Sequence, residues 1–136
     1  EKLISSSNTI RRPYAQLVDH IDSYYHLTLE AGLKPNQAAQ MVAQARHKVS
    51  LPLLVEIQAS PNYAYLGRLA QAAAAAGANI ILLTASSFAS AKAAVSNLEA
   101  ALALPLFVRC PIATAKEKQQ LQALGAAKVL PTSAGS

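Results

Sequence analysis

The sequence predicts an α/β domain in which a parallel sheet is covered by helices on both faces, a three-layer arrangement, and three observations carry that expectation. Short β-branched or Leu-rich runs alternate with Ala-rich stretches of helical length, the pattern of successive βαβ units. Asn79-Ile80-Ile81-Leu82-Leu83-Thr84 is apolar without alternation, as a strand buried on both faces should be. An internal echo supports the parse: Leu51-Pro52-Leu53-Leu54-Val55 and Leu104-Pro105-Leu106-Phe107-Val108 open corresponding strands, and each is followed by a helix ending in Gly-Ala, at Gly77-Ala78 and Gly125-Ala126.

The elements follow in order. In the first fifty residues Tyr14 to Val18 reads as a first strand with Ser23 to Ala31 as its helix, or Pro13 to Ala31 reads as one long helix begun by Pro. Gly32 ends either version, and Leu33 to Asn36 is a short strand or a turn before a helix from Gln37 to Lys48. Leu51 to Ile57 is a strand stopped by Ser60-Pro61-Asn62. Tyr63 to Ala76 is a helix with Leu66, Leu69, Ala73 and Ala76 on one face and Gly77 as its stop. The strand at Asn79 to Thr84 leads to a helix capped by Ser86 or Ser87 and running to about Ala101. Leu104 to Val108 is the next strand, and Thr114 to Leu124 the last helix. A Pro near each of two strand starts is tolerated only at the edge of a ladder.

A chain of 136 residues that is 52% hydrophobic and 14% charged has one core and one domain. That domain is expected over residues 13–130, with linker composition at 1–12 and 131–136. Cys110 is the one cysteine, so no internal disulfide forms and a reducing compartment is implied. No apolar run approaches the roughly 20 residues that cross a bilayer, so a cytoplasmic protein without membrane insertion is expected. The net charge of +5 raises nucleic acid as a partner, but the basic residues are scattered singly apart from Arg11-Arg12, without interleaved aromatics, which argues against it. His20, His26 and His47 lack metal-ligand spacing with Cys or an acidic cluster, so neither a metal nor a cofactor is expected.

Parallel sheets present functional groups at the carboxyl ends of their strands, which singles out Asp19, Glu56, Thr84 and Cys110 with their neighbours. Each also has a plain structural role. Asp19 and Asp22 suit a solvated helix face, Thr84 the start of a helix, and Cys110 a small buried hydrophobe. Tyr24, Tyr25, Tyr63 and Tyr65 suit core packing or a partner surface. Glu56 is the hardest to place this way, since an unpaired carboxylate inside an apolar strand is costly, and a strand end open to solvent or to a basic partner is expected.

Taken together, Val18-Asp19-His20-Ile21-Asp22, Val55-Glu56-Ile57-Gln58, Leu82-Leu83-Thr84-Ala85 and Cys110-Pro111-Ile112 resemble the four signature regions of response-regulator receiver domains, across roughly residues 13 to 125. The resemblance implies a flavodoxin-like or Rossmann-like sheet and a phosphoacceptor site at Asp19, His20, Asp22, Glu56, Thr84, Phe107 and Cys110. The family's chemistry needs carboxylates for Mg²⁺, an Asp to accept phosphate and a Lys to neutralise it. Here His20 replaces part of the acidic pair, Glu56 stands at the Asp position and Cys110 at the Lys position. Arg109 lies one residue away, so alternation is expected to turn it aside. The implied function is a pseudo-receiver that is not phosphorylated and mediates protein contacts in a two-component signalling protein such as a hybrid histidine kinase. Its partners would be other domains of that protein or a separate protein, and it would not be an enzyme.

A second resemblance comes from the enzyme side. Val55-Glu56-Ile57-Gln58-Ala59-Ser60-Pro61, Leu83-Thr84-Ala85-Ser86-Ser87-Phe88, Leu104 to Arg109, and Gly125-Ala126 through Leu130 resemble the first four strand regions of indole-glycerol-phosphate synthase. That family is a phosphate-binding (βα)₈ barrel. The lysines it uses after its first and third strands are absent, with Gln58 and Arg109 the nearest candidates, and half a barrel is missing. Residues Leu104 to Pro131 also resemble the tail half of potassium-transport regulatory domains, which implies a nucleotide-sensing Rossmann-like domain. The glycine loop that cradles a pyrophosphate is not in the sequence.

Overall fold

The computed structural model describes residues 9–11, 24–98, 102 and 104–131. In chain order the elements are β1 (Thr9–Arg11), β2 (Tyr24–Thr28), α1 (Pro35–Lys48), β3 (Leu53–Gln58), α2 (Tyr63–Ala76), β4 (Ile80–Thr84), α3 (Phe88–Leu98), β5 (Leu106–Cys110), α4 (Ala115–Leu124) and β6 (Lys128–Pro131). One six-stranded sheet runs β1-β2-β3-β4-β5-β6. Strands β2 to β6 are parallel and β1 is antiparallel to β2. The α/β class and the parallel sheet are as the sequence predicts.

The boundaries follow local chemistry. Pro52 and Pro105 sit just outside β3 and β5, where their carbonyls accept from Tyr25 and Ile81 N–H groups and their missing donors are not needed. The Asn62 side chain caps α2 by accepting from Tyr65 N–H, and Ser87 and Thr114 do the same for α3 and α4 from Ser90 and Glu117. The two Gly-Ala stops are matching turns. Gly77 and Gly125 have φ of 125° and 124°, and the following Ala78 and Ala126 N–H groups donate back to Ala73 and Leu121 carbonyls. Each glycine takes the left-handed geometry that closes a helix.

Two expectations for the first fifty residues change. Tyr24–Thr28 is a strand, not part of a helix over Ser23 to Ala31 or Pro13 to Ala31. Its aromatic and Thr content suits a pleated surface, and Tyr24 and Leu27 are buried on opposite faces of the sheet. Thr9–Arg11, expected within a linker, pairs with β2 as an edge strand. The expected strand at Tyr14 to Val18 lies outside the described residues, as do residues 1–8 and 132–136 of the expected linkers.

The layers also differ from the expectation. Side chains from α1, α2, α3 and α4 share one core cluster with Leu27, Val55, Ile57, Ile81, Leu83 and Val108, and successive helices pack side by side. All four therefore cover one face of the sheet. The reason is topological. A right-handed crossover places its helix on a face set by the direction in which the chain steps. Helices reach both faces only where the strand order reverses, as in the flavodoxin-like order 2-1-3-4-5, and here the order never reverses. On the opposite, inner face Tyr24, Leu54, Ile80, Leu82 and Phe107 form a second, smaller cluster to which no described helix contributes.

Candidate functional site

The inner face becomes polar toward the carboxyl ends of the strands. Register sets which residues share it: Thr28 pairs with Glu56, Glu56 with Leu82, and Leu82 with Phe107. The next residues of that parity are Gln58, Thr84 and Arg109, which also pair in a row. A cleft of about 390 Å³ opens above them, lined by Glu56, Gln58, Thr84, Arg109, the turn residues Ala59, Ala85 and Ser86, and Ser90 in the first turn of α3.

Glu56 is the centre of this site. His26 Nε2 lies 2.6 Å from Oε1 and Arg109 donates to Oε2 at 3.0 Å, while the Thr28 hydroxyl stands 3.5 Å from Oε1. The Glu56 and His26 side chains are only 13% and 6% exposed, against 32% for Arg109. Burial alone would raise the Glu56 pKa, but the His26 hydrogen bond and the Arg109 charge outweigh it and hold the carboxyl below its ordinary value. With the carboxylate ionised, His26 Nε2 carries the proton and donates it. His26 Nδ1 has no hydrogen-bond partner among the described residues.

Of the residues singled out from sequence, Glu56 and Thr84 meet in the cleft. The Thr84 hydroxyl donates to the Ile57 carbonyl, and Thr84 ends β4 rather than starting a helix. Phe107 lies one row below on the same face, inside the apolar cluster. Cys110 is fully buried among the helix-facing residues, away from Glu56. There burial, helped by the Glu117 charge, pushes its thiol up to about 11. Asp19, His20 and Asp22 lie outside the described residues.

Arg109 reverses an expectation. Alternation was expected to turn it away and leave Cys110 at the site, but the Glu56–Leu82–Phe107 row gives Arg109 the parity of Glu56 and sends Cys110 to the helices. Gln58 and Arg109, the nearest candidates for the absent barrel-family lysines, both line the cleft. His26 lacks metal-ligand spacing, and in a segment that reads as helix it carries no other signal. Reading Tyr24–Thr28 as a strand would have put His26 and Thr28 on one face. Among the described residues no group of three or more His, Cys, Asp or Glu is placed to hold a metal ion, and no helix is long and apolar enough to cross a membrane.

No family model and no curated protein matches the sequence. Among solved structures the chain is similar to one described as a "putative dihydrodipicolinate synthase family protein" from Coccidioides immitis, with a TM-score of 0.49 and 15% identity. The match covers 74% of this chain and 50% of that one, so this chain spans half of that protein's length.

Proposed function

We propose that this chain is a (βα)-barrel-type module that binds a small phosphate monoester at the carboxyl end of its sheet. The observation behind the reading is Arg109. It is anchored on Glu56 through one nitrogen, and a third of its side chain remains open to the cleft. Ser86 and Ser90 lie across the same cleft at the start of the 11-residue α3. A guanidinium facing serine side chains suits a phosphate.

The residues present favour binding over the barrel family's acid–base chemistry. A Gln at position 58 neither ionises nor transfers a proton, and an Arg stays charged at any ordinary pH. Arg109 is thus an anchor. A receiver-like contact module would instead draw Asp19, Glu56 and Thr84 together in a sheet of order 2-1-3-4-5, and the sequential order observed here favours the barrel-type reading.

Calorimetric titration of the purified protein with ethyl phosphate tests the proposal. Saturable binding is expected, weakened about tenfold or more in Arg109→Gln and largely retained in Arg109→Lys. No saturable binding, or equal binding by wild type and Arg109→Gln, overturns it.

A further inference from the structure

Glu56 divides its carboxylate between two bases that differ in kind. Oε2 accepts from Arg109, which lines the cleft, and Oε1 from His26, which does not. Arg109 carries a fixed charge, whereas an imidazole gains one on acidification. The neutral His26 ring commits its one N–H to Glu56. Its Nδ1, buried and without a partner among the described residues, is the position that a second proton takes.

While His26 is neutral, the charges of Arg109 and Glu56 cancel. Protonating His26 leaves the trio with a net positive charge and turns the contact at Oε1 into an ion pair, so less of the Glu56 field opposes an anion beside Arg109. The other groups packed round His26 keep their charge near neutral pH. Glu56, from β3, is held below its ordinary 4.5 and stays ionised. On the strand of His26 itself, Tyr24 has its ring centre 6.4 Å away and the Thr28 hydroxyl stands 3.5 Å from the same carboxylate oxygen; a phenol and an alcohol are both neutral there. From β1, Thr9 pairs with His26 and Arg11 with Tyr24, and an Arg stays charged.

Resting on the phosphate reading, we infer that His26 is a positioning residue that makes the anion site pH-dependent: its protonation strengthens binding at Arg109 without contact between His26 and the ligand. Binding and protonation are reciprocal, so an anion bound near neutral pH draws a proton onto the ring. The new charge lies beyond Glu56 and is partly screened, so the gain in affinity on acidification is modest, about threefold at low salt.

The test is calorimetry with ethyl sulfate, which remains a monoanion throughout, whereas ethyl phosphate itself gains a proton near about pH 6. At low ionic strength ethyl sulfate is expected to bind about threefold tighter at about pH 5.5 than at about pH 8. Titration at an intermediate pH, in buffers of different ionisation enthalpy, should show uptake of a fraction of a proton on binding. Both effects should vanish in His26→Gln and persist in a His20→Gln/His47→Gln double variant, whose one histidine is His26. Equal affinity at the two pH values, proton uptake that survives His26→Gln or is lost in the double variant, or no binding of ethyl sulfate where ethyl phosphate binds, overturns the inference and leaves the phosphate site standing. Failure of both ligands to bind overturns the phosphate reading and this inference with it.

Discussion

Arg46 donates through Nη1 to the Asn79 side-chain carbonyl at 2.9 Å, and that same oxygen accepts from the Leu53 N–H at 2.8 Å. The pair ties the end of α1 to the starts of β3 and β4. The other guanidinium nitrogen, Nη2, donates to the Val49 and Leu51 carbonyls at 2.9 and 2.7 Å, so one side chain satisfies much of the backbone at the edge opposite the cleft. Arg46→Ala is expected to cost about 2–4 kcal/mol. Arg46→Lys should recover less than half, because one ammonium cannot span these acceptors. Urea unfolding of the three proteins checks this.

Two glycines in and after α2 should respond in opposite directions. A Cβ on Gly77 would stand 2.8 Å from Arg46 Cγ and Cδ, on a backbone with φ of 125°, so Gly77→Ala should destabilise by about 2 kcal/mol or more. Gly67 lies inside α2 with nothing within 4 Å of an added Cβ, and Gly67→Ala should stabilise by about 0.5–1 kcal/mol. Thermal melts that shift in the same direction would contradict this account.

The His26 contact to Glu56 works through Nε2. His26→Gln keeps an amide nitrogen near that position, whereas His26→Ala leaves the carboxylate short of one donor. The Ala variant should lose about 1–3 kcal/mol, and the Gln variant distinctly less. Equal losses in denaturant titrations would mean that packing, not the hydrogen bond, is what His26 supplies.

Stability should respond to pH at both extremes. Glu56 has a folded pKa below its ordinary 4.5, so its contribution is complete above that value and is lost as pH falls through the folded pKa. Glu56→Gln should flatten this acid limb. Cys110 runs the other way. Its contribution is intact below the ordinary thiol value of 9.0 and is lost as pH rises to about 11, a limb that Cys110→Ala should remove. For the same reason the native thiol should alkylate far more slowly at pH 8 than the denatured chain, as timed iodoacetamide labelling followed by mass measurement would show.

What the sequence reveals divides along physical lines. The α2 boundaries and both Gly-Ala stops are legible because capping and left-handed turns depend on a few adjacent residues. The Tyr24–Thr28 strand is not, since a five-residue run without strict apolar alternation fits a helix nearly as well. Nor is the single helical layer. Each βα unit looks the same whichever way the chain steps, and the step direction is decided by contacts between units. Glu56 was legible as a carboxylate needing a partner. Its partners were not, because the parity of Arg109 follows from registers across β3, β4 and β5 that no local pattern encodes.

The uninterrupted strand order has a kinetic side. Tyr25 pairs with Leu53, Leu54 with Ile80, Ile81 with Leu106 and Phe107 with Lys128, so each ladder joins segments about one βα unit apart and no strand waits for a distant one to be inserted beside it. Loop closure then costs about the same at each step. Folding can advance along the chain by repeated addition, and a unit gained or lost beyond β6 alters one ladder while leaving the others as they are.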